Sequence, residues 1–223
     1  VEERPTLDNV RNFLRNKSYT GIIKVNFPKD ILTQAKAVYE TEFFKHLKVS
    51  EPISIYIDKL PLNLLEVPLI QLLYPEAKFI LALRHPMDTI LSCWMQNFKL
   101  NDAMANMVDL DRIVDFYCVA METFKVCRTG YNLKVHEIRY EDLLEDLKKE
   151  TSSLLQFLDL KWEPQIENYR ATAIERELIR TPSYSQVVQP IYKDAKYRWI
   201  HYEKYLIKYL DKVKPWLDEF GYS

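Results

Sequence analysis

Three short runs of strand-forming residues, Ile53-Ser-Ile-Tyr-Ile-Asp58, Lys78-Phe-Ile-Leu-Ala-Leu83 and Lys134-Val-His-Glu-Ile138, are set between long stretches with helical periodicity. Helices are expected at 5–16, where Pro5 suits a first turn, and at 29–48, where Ile31, Leu32, Ala35, Val38, Tyr39 and Phe43 recur at helical spacing. Further helices are expected at 62–74, from Pro86 to about Phe98, from Asp109 to Arg128, over 140–158, and beyond Trp199. The run at 78–83 is apolar enough to be buried on both faces. Strands alternating with helices predict an α/β fold, with a parallel sheet flanked by helices on both sides. Repeats, low-complexity segments and linkers are absent from the 223 residues, so a single domain over 1–223 is expected.

In such sheets ligands sit beyond the carboxyl ends of the strands. Those ends are Asp58-Lys59, Arg84-His85 and Arg139-Tyr140, and each offers a cation or a hydroxyl. A glycine-rich phosphate loop is not available in this sequence, because Gly21, Gly130 and Gly221 are its only glycines and are far apart. A bound nucleotide would therefore be held by side chains, or by a loop upstream of Val1. The net charge of −1 argues against broad binding to nucleic acid or anionic membrane, but leaves room for one small basic pocket. No apolar run approaches the roughly 18–20 residues of a membrane span, and Val1 opens no signal-peptide pattern, so a cytoplasmic protein is expected. Cys93, Cys118 and Cys127 are expected as buried free thiols. No CxxC occurs and the four histidines are scattered, so no metal site is expected.

The segment Arg84-His-Pro-Met-Asp-Thr-Ile-Leu-Ser92 is the most chemically pointed. Arg84 leaves a buried strand and Pro86 opens a helix, whose start carries unpaired N–H groups and a partial positive charge. Ser92 lies two turns on, near the face that His85 begins. An arginine fork and a hydroxyl placed this way can hold a phosphate. The same residues also fit an arginine paired with Asp88 in a strand–helix corner.

In the form R-x-P-x-D-x-x-x-S, Arg84 to Ser92 resembles the 3′-phosphate-binding segment of sulfotransferases. Ile57-Asp-Lys-Leu-Pro-Leu-Asn63 resembles that family's D-K-x-P-x-N segment, and Ile138-Arg-Tyr-Glu-Asp-Leu143 its R-Y-E-D-L strand end. Thr181-Pro-Ser-Tyr-Ser-Gln-Val187, Pro190-Ile-Tyr192 and Arg198-Trp199 resemble its late donor-binding stretch, and Lys214 to Tyr222 its terminal helix. The order is the family's over nearly the whole chain. The pattern is most similar to bacterial sulfotransferases linked to tetratricopeptide repeats, and more remotely to tyrosylprotein sulfotransferases. It implies a three-layer fold like that of nucleoside-triphosphate hydrolases. The implied reaction is sulfo transfer from 3′-phosphoadenosine 5′-phosphosulfate to a hydroxyl on a small molecule, sugar or protein tyrosine, without a metal.

The resemblance also implies roles. Arg84 and Ser92 would bind the donor's 3′-phosphate, Tyr140 the same phosphate or its ribose, and Arg198 would add a second cation; Tyr140 and Arg198 also fit plain packing and surface positions. Ser183 would sit near the phosphosulfate, and Tyr184 would either stack on adenine or simply pack. Lys59 would stabilise charge on the bridging oxygen as the donor's S–O bond breaks; alternatively it pairs with Asp58. Glu2, or Glu3 in a shifted register, would be the base for the acceptor hydroxyl, or belong to a solvated acidic terminus. Glu141 and Asp142 are expected to favour the start of the next helix rather than to do chemistry.

The departure from the family is upstream, where relatives carry a strand and a P-x-S-G-T-T loop that grips the phosphosulfate. Because the downstream donor motifs are intact, that unit is expected to lie before Val1. Two rival readings remain. A nucleotide kinase-like phosphotransferase needs a Gly-Lys loop and a magnesium-holding carboxylate, and neither has a clear candidate. A non-catalytic binding module would keep the fold without the loop.

Overall fold

A computed structural model of the chain describes residues 6–19, 27–45, 55–98, 101, 103–168 and 195–223. The chain packs as two compact units, one made of residues up to Ala77 together with Thr123–Asn132, the other of Lys78–Glu122 and Leu133–Ser223.

The first unit is built on helices α1 (Thr6–Asn16), α2 (Lys29–Phe44) and α3 (Val67–Leu73). Leu7, Val10 and Leu14 recur at intervals of three and four and so form one stripe on α1. They pack with Ala35 of α2 and Leu69 and Leu73 of α3 into a buried cluster. Each such leucine or valine taken from water contributes about 1.5–3 kcal/mol before entropy is counted. Arg11 pairs with Asp8 on its own helix and with Glu66 just before α3. Helix α1 ends where Ser18 takes a left-handed φ of 66° and the Tyr19 N–H turns back to the Leu14 carbonyl.

Two expectations change in this unit. The segment expected as one helix over 62–74 is a 3-10 turn, Pro61–Leu65, followed by α3, with Pro68 in the first turn of the second piece. Proline lacks the N–H a continuous helix would need and clashes with the preceding turn, so the break falls ahead of it. Of the expected strand Ile53–Asp58, the described residues 55–58 are not in a ladder, and only Lys59 forms an isolated bridge. What fixes this stretch is Asp58, whose Oδ2 accepts from the Thr6 hydroxyl (2.8 Å) and the Tyr39 hydroxyl (2.9 Å).

The second unit holds the sheet. Strands β1 (Lys78–Leu83) and β2 (Lys134–Arg139) are parallel, in register from Lys78 opposite Lys134 to Leu83 opposite Arg139. Between them run α4 (Pro86–Met95) and the long α5 (Leu110–Tyr131). Parallel neighbours need such a crossover, because a tight turn cannot bring a strand back in the same direction. Helix α5 outlasts its expected end and stops before Asn132, which has a positive φ of 49° that asparagine tolerates. Helix α4 is shorter than expected, giving way to extended backbone at Gln96. On β1, Leu81 and Leu83 are buried while Lys78, Ile80 and Ala82 are exposed. Burial of both faces of this strand is thus corrected to burial of one face among the described residues.

After β2 the helices expected over 140–158 are α6 (Tyr140–Glu145) and α7 (Leu147–Phe157). Asp146 divides them, leaving helical geometry and capping α7 by accepting from the Lys149 N–H at 2.9 Å. The tail carries a 3-10 turn at Arg198–Tyr202, then α8 (Glu203–Leu206), another turn, and α9 (Leu210–Glu219). Val213, Trp216 and Leu217 of α9 are buried, and the helix packs against α4. The cysteines are free, but only Cys127 is buried; Cys93 and Cys118 are half-exposed, a correction to the expectation of three buried thiols. Among the described residues, no helix is long and apolar enough to cross a membrane.

Candidate functional site

The carboxyl ends of β1 and β2 meet in a polar corner. Leu83 and Arg139 are the last paired residues, so Arg84 and Tyr140 leave the sheet side by side. The Arg84 guanidinium lies over the Tyr140 ring, 5.4 Å from its centroid, a cation–π placement. Its Nη2 donates to the Ala195 carbonyl at 2.5 Å and stands 3.7 Å from the Asp88 carboxylate, while Nε is buried without a hydrogen-bond partner among the described residues. A guanidinium has five donors. Among the described residues few of them are used, which suits the group to take an anion. Both readings of Arg84 therefore meet in one place: it faces Asp88, yet the approach is too long for a hydrogen bond, and Asp88 Oδ2 makes none with the described residues.

Helix α4 starts at this corner because the sequence supplies a cap and a proline. His85 accepts at Nδ1 from the Met87 N–H (3.2 Å), and Pro86 takes the first helical position, where its missing N–H costs nothing. Asp88 in the first turn is almost wholly buried and accepts at Oδ1 from the Trp199 N–H at 2.7 Å. Burial pushes the Asp88 carboxyl above its ordinary range, against the pull of that N–H and of Arg84. Ser92 is half-buried on α4, four residues past Asp88 and hence on the same helical face.

Aromatic rings close the corner around His85. Trp199 stacks on its imidazole (5.3 Å, 16°), and Tyr197 and Tyr222 meet it edge-on. His85 is 4% exposed, and burial lowers its pKa to about 4, so it is a neutral imidazole near pH 7. Tyr197 holds a left-handed φ of 56° in the turn that brings Ala195 and Trp199 to Arg84 and Asp88. Arg198, in that same turn, is exposed.

Glu141 has a larger structural part than the helix-start role expected of it. It is 1% exposed; Oε1 accepts from the His85 N–H at 2.9 Å and Oε2 from the Tyr222 hydroxyl at 2.7 Å. An acidic residue in a first turn is a common sequence signal with a local explanation, and nothing local pointed to a partner 81 positions away.

Among the expected site residues, Arg84, Tyr140 and the face carrying Ser92 gather at the strand ends, with Arg198 on the adjoining turn. Lys59 belongs to the other unit, where it is exposed and follows the tethered Asp58. Glu2, Glu3, Ser183 and Tyr184 lie outside the described residues. Among the described residues, no group of three or more His, Cys, Asp or Glu is placed to hold a metal ion.

The profile of the sulfotransferase family matches residues 7–164. An uncharacterized protein of Aquifex aeolicus (strain VF5) is 32% identical over 154 residues, covering 67% of this chain and 19% of that protein. Cytosolic sulfotransferases 15 and 14 of Arabidopsis thaliana are 29% and 30% identical, each match covering 42% of this chain and 29% and 30% of the respective enzyme. The chain thus spans less than a third of the length of these curated relatives.

Proposed function

The chain belongs to the sulfotransferase family, and on that premise we propose that it transfers a sulfo group from 3′-phosphoadenosine 5′-phosphosulfate to a hydroxyl acceptor. The observation that carries this reading is the pairing of the Arg84 guanidinium with the Tyr140 ring at the ends of adjacent parallel strands. Arg84 and Ser92 bind the donor's 3′-phosphate, Tyr140 contacts that phosphate or its ribose, and Arg198 supplies a second cation. Ser183 lies by the phosphosulfate and Tyr184 stacks on adenine. Glu2, or Glu3 beside it, accepts the proton of the acceptor hydroxyl. The acceptor oxygen then forms its bond to sulfur as the donor's S–O bond breaks in line. The bonding pair leaves with 3′-phosphoadenosine 5′-phosphate, and Lys59 stabilises the charge that grows on the departing oxygen. Positioning and fixed charge supply the catalysis, as in phosphoryl transfer.

The test is calorimetric titration of the chain with 3′-phosphoadenosine 5′-phosphate and with ATP, together with sulfo transfer from labelled donor by the natural full-length protein. Preference for the 3′-phosphorylated nucleotide with measurable transfer is expected. Preference for ATP with magnesium would instead indicate a phosphotransferase, and nucleotide binding without transfer to any hydroxyl compound would indicate a binding module.

A further inference from the structure

The β1–β2 ladder ends at Leu83 and Arg139. One residue further on lie Arg84 and Tyr140, and a shared phosphate requires that their separation be set. Beyond the ladder the structure offers a further tie. Glu141, next in chain to Tyr140, takes at Oε1 the N–H of His85, the amide joined directly to the Arg84 carbonyl carbon. That hydrogen bond ties the peptide after Arg84 to the start of α6. It is buried, and its acceptor is a carboxylate, so it is stronger than a solvent-exposed contact.

The other carboxylate oxygen is held from the far end of the chain. Gly221, at a left-handed φ of 68°, turns the chain after α9, and the Tyr222 N–H closes that turn on the Leu217 carbonyl at 2.7 Å. The turn lays the Tyr222 ring against the Arg139 guanidinium (4.2 Å to the centroid) and edge-on to His85, and its hydroxyl donates to Glu141 Oε2. A methyl group on Gly221 would stand 3.3 Å from Arg139 Nη1, so the turn passes close against the strand end.

We infer that Glu141 and Tyr222 are positioning residues for the nucleotide's 3′-phosphate, Glu141 locking the peptide after Arg84 to the helix start after Tyr140, and Tyr222 locking Glu141. This rests on the donor site proposed above. It adds that the turn after α9 sets the geometry of a phosphate site in which Arg84, Ser92 and Tyr140 lie more than eighty residues earlier. Without the tether the site's residues remain, but the peptide after Arg84 is held less firmly to the start of α6, and a charge-assisted hydrogen bond notices a shift of a fraction of an ångström.

The test is calorimetric titration of wild type, Tyr222→Phe, Glu141→Ala, Glu141→Gln and Arg84→Ala with 3′-phosphoadenosine 5′-phosphate and with adenosine 5′-phosphate, alongside thermal melts. Tyr222→Phe keeps the ring and removes only the hydroxyl, so it stays folded if Glu141→Ala does not. Both are expected to weaken binding of the 3′-phosphorylated nucleotide by about threefold to tenfold and to leave adenosine 5′-phosphate within about twofold. Glu141→Gln can still accept from His85 and is expected to restore most of the preference. If Arg84→Ala removes the preference while folded Tyr222→Phe merely melts earlier with the preference intact, Glu141 and Tyr222 are structural and the inference falls. If Arg84→Ala also leaves the preference intact, or wild type has none, the donor-site reading itself falls, and this inference with it.

Discussion

The guanidinium of Arg84 rests on the ring of Tyr140, 5.4 Å from its centroid, with a buried Nε that takes no hydrogen bond among the described residues. Two residues that follow different strands, 56 positions apart, thus meet at the end of a parallel sheet. Residues just beyond parallel strands are where such sheets bind ligands.

This arrangement predicts that Arg84 discriminates the 3′-phosphate rather than the rest of a nucleotide. Charge-assisted hydrogen bonds contribute about 1.5–3 kcal/mol each. Arg84→Ala is expected to weaken 3′-phosphoadenosine 5′-phosphate by about tenfold to a hundredfold and to leave adenosine 5′-phosphate almost unchanged. Ser92→Ala, on the face of α4 that also carries Asp88, acts in the same direction with a smaller effect. Calorimetry with both nucleotides on all three proteins decides it. Equal weakening of both nucleotides by Arg84→Ala would mean that the arginine holds the fold through Asp88 and Ala195.

Lys59 follows Asp58, whose carboxylate is held by two hydroxyls from α1 and α2, so the backbone that presents the lysine is anchored. A cation acting on the breaking S–O bond lowers the barrier without tightening the ground state, and one such group is worth about 3–4 kcal/mol. Lys59→Ala in the natural full-length protein is therefore expected to lower kcat by about two to three orders of magnitude, with donor KM little changed. A variant that raised KM alone would make Lys59 a binding residue.

The strands 78–83 and 134–138, the helix following Pro86 and the arginine between them were legible in the sequence, because each rests on a local pattern: short strand-forming runs, a proline at a helix start, helical spacing. What escaped notice depends on long-range partners. Ile53–Asp58 has the composition of a strand, yet at Asp58 the side chain is held by hydroxyls from two helices. An unbroken apolar run cannot show that Ile80 and Ala82 stay exposed while Leu81 and Leu83 do not. Pairings such as Glu141 with Tyr222 and Asp88 with Trp199 span 81 and 111 positions, and no single-sequence periodicity reaches that far.

His85 gives the corner a pH dependence whose sign follows from its burial. Desolvation lowers its pKa from 6.5 to about 4; Glu141 opposes the shift, while Arg84 and Arg139 reinforce it. As pH falls, the unfolded chain takes up this proton near 6.5, whereas the folded chain resists until about 4. The contribution to stability is thus fully present above about pH 6.5 and is lost as pH falls through the folded value. It amounts to about 3 kcal/mol, from a shift of between two and three pH units at about 1.4 kcal/mol each. Asp88 works in the opposite sense: its raised pKa lets the folded chain take a proton first, which adds stability as pH falls. A difference measurement removes that opposing effect. In His85→Asn the new side chain can still accept from the Met87 N–H and cap α4, and it does not titrate. The variant forfeits the stack on Trp199 and is expected to be less stable than wild type at pH 7.5. Between pH 7.5 and 4, however, wild type should lose about 3 kcal/mol more than the variant, as read from urea unfolding at a series of pH values. Parallel pH profiles for the two proteins would show that His85 takes its proton freely in the folded chain, and that the ring cluster around it opens to water.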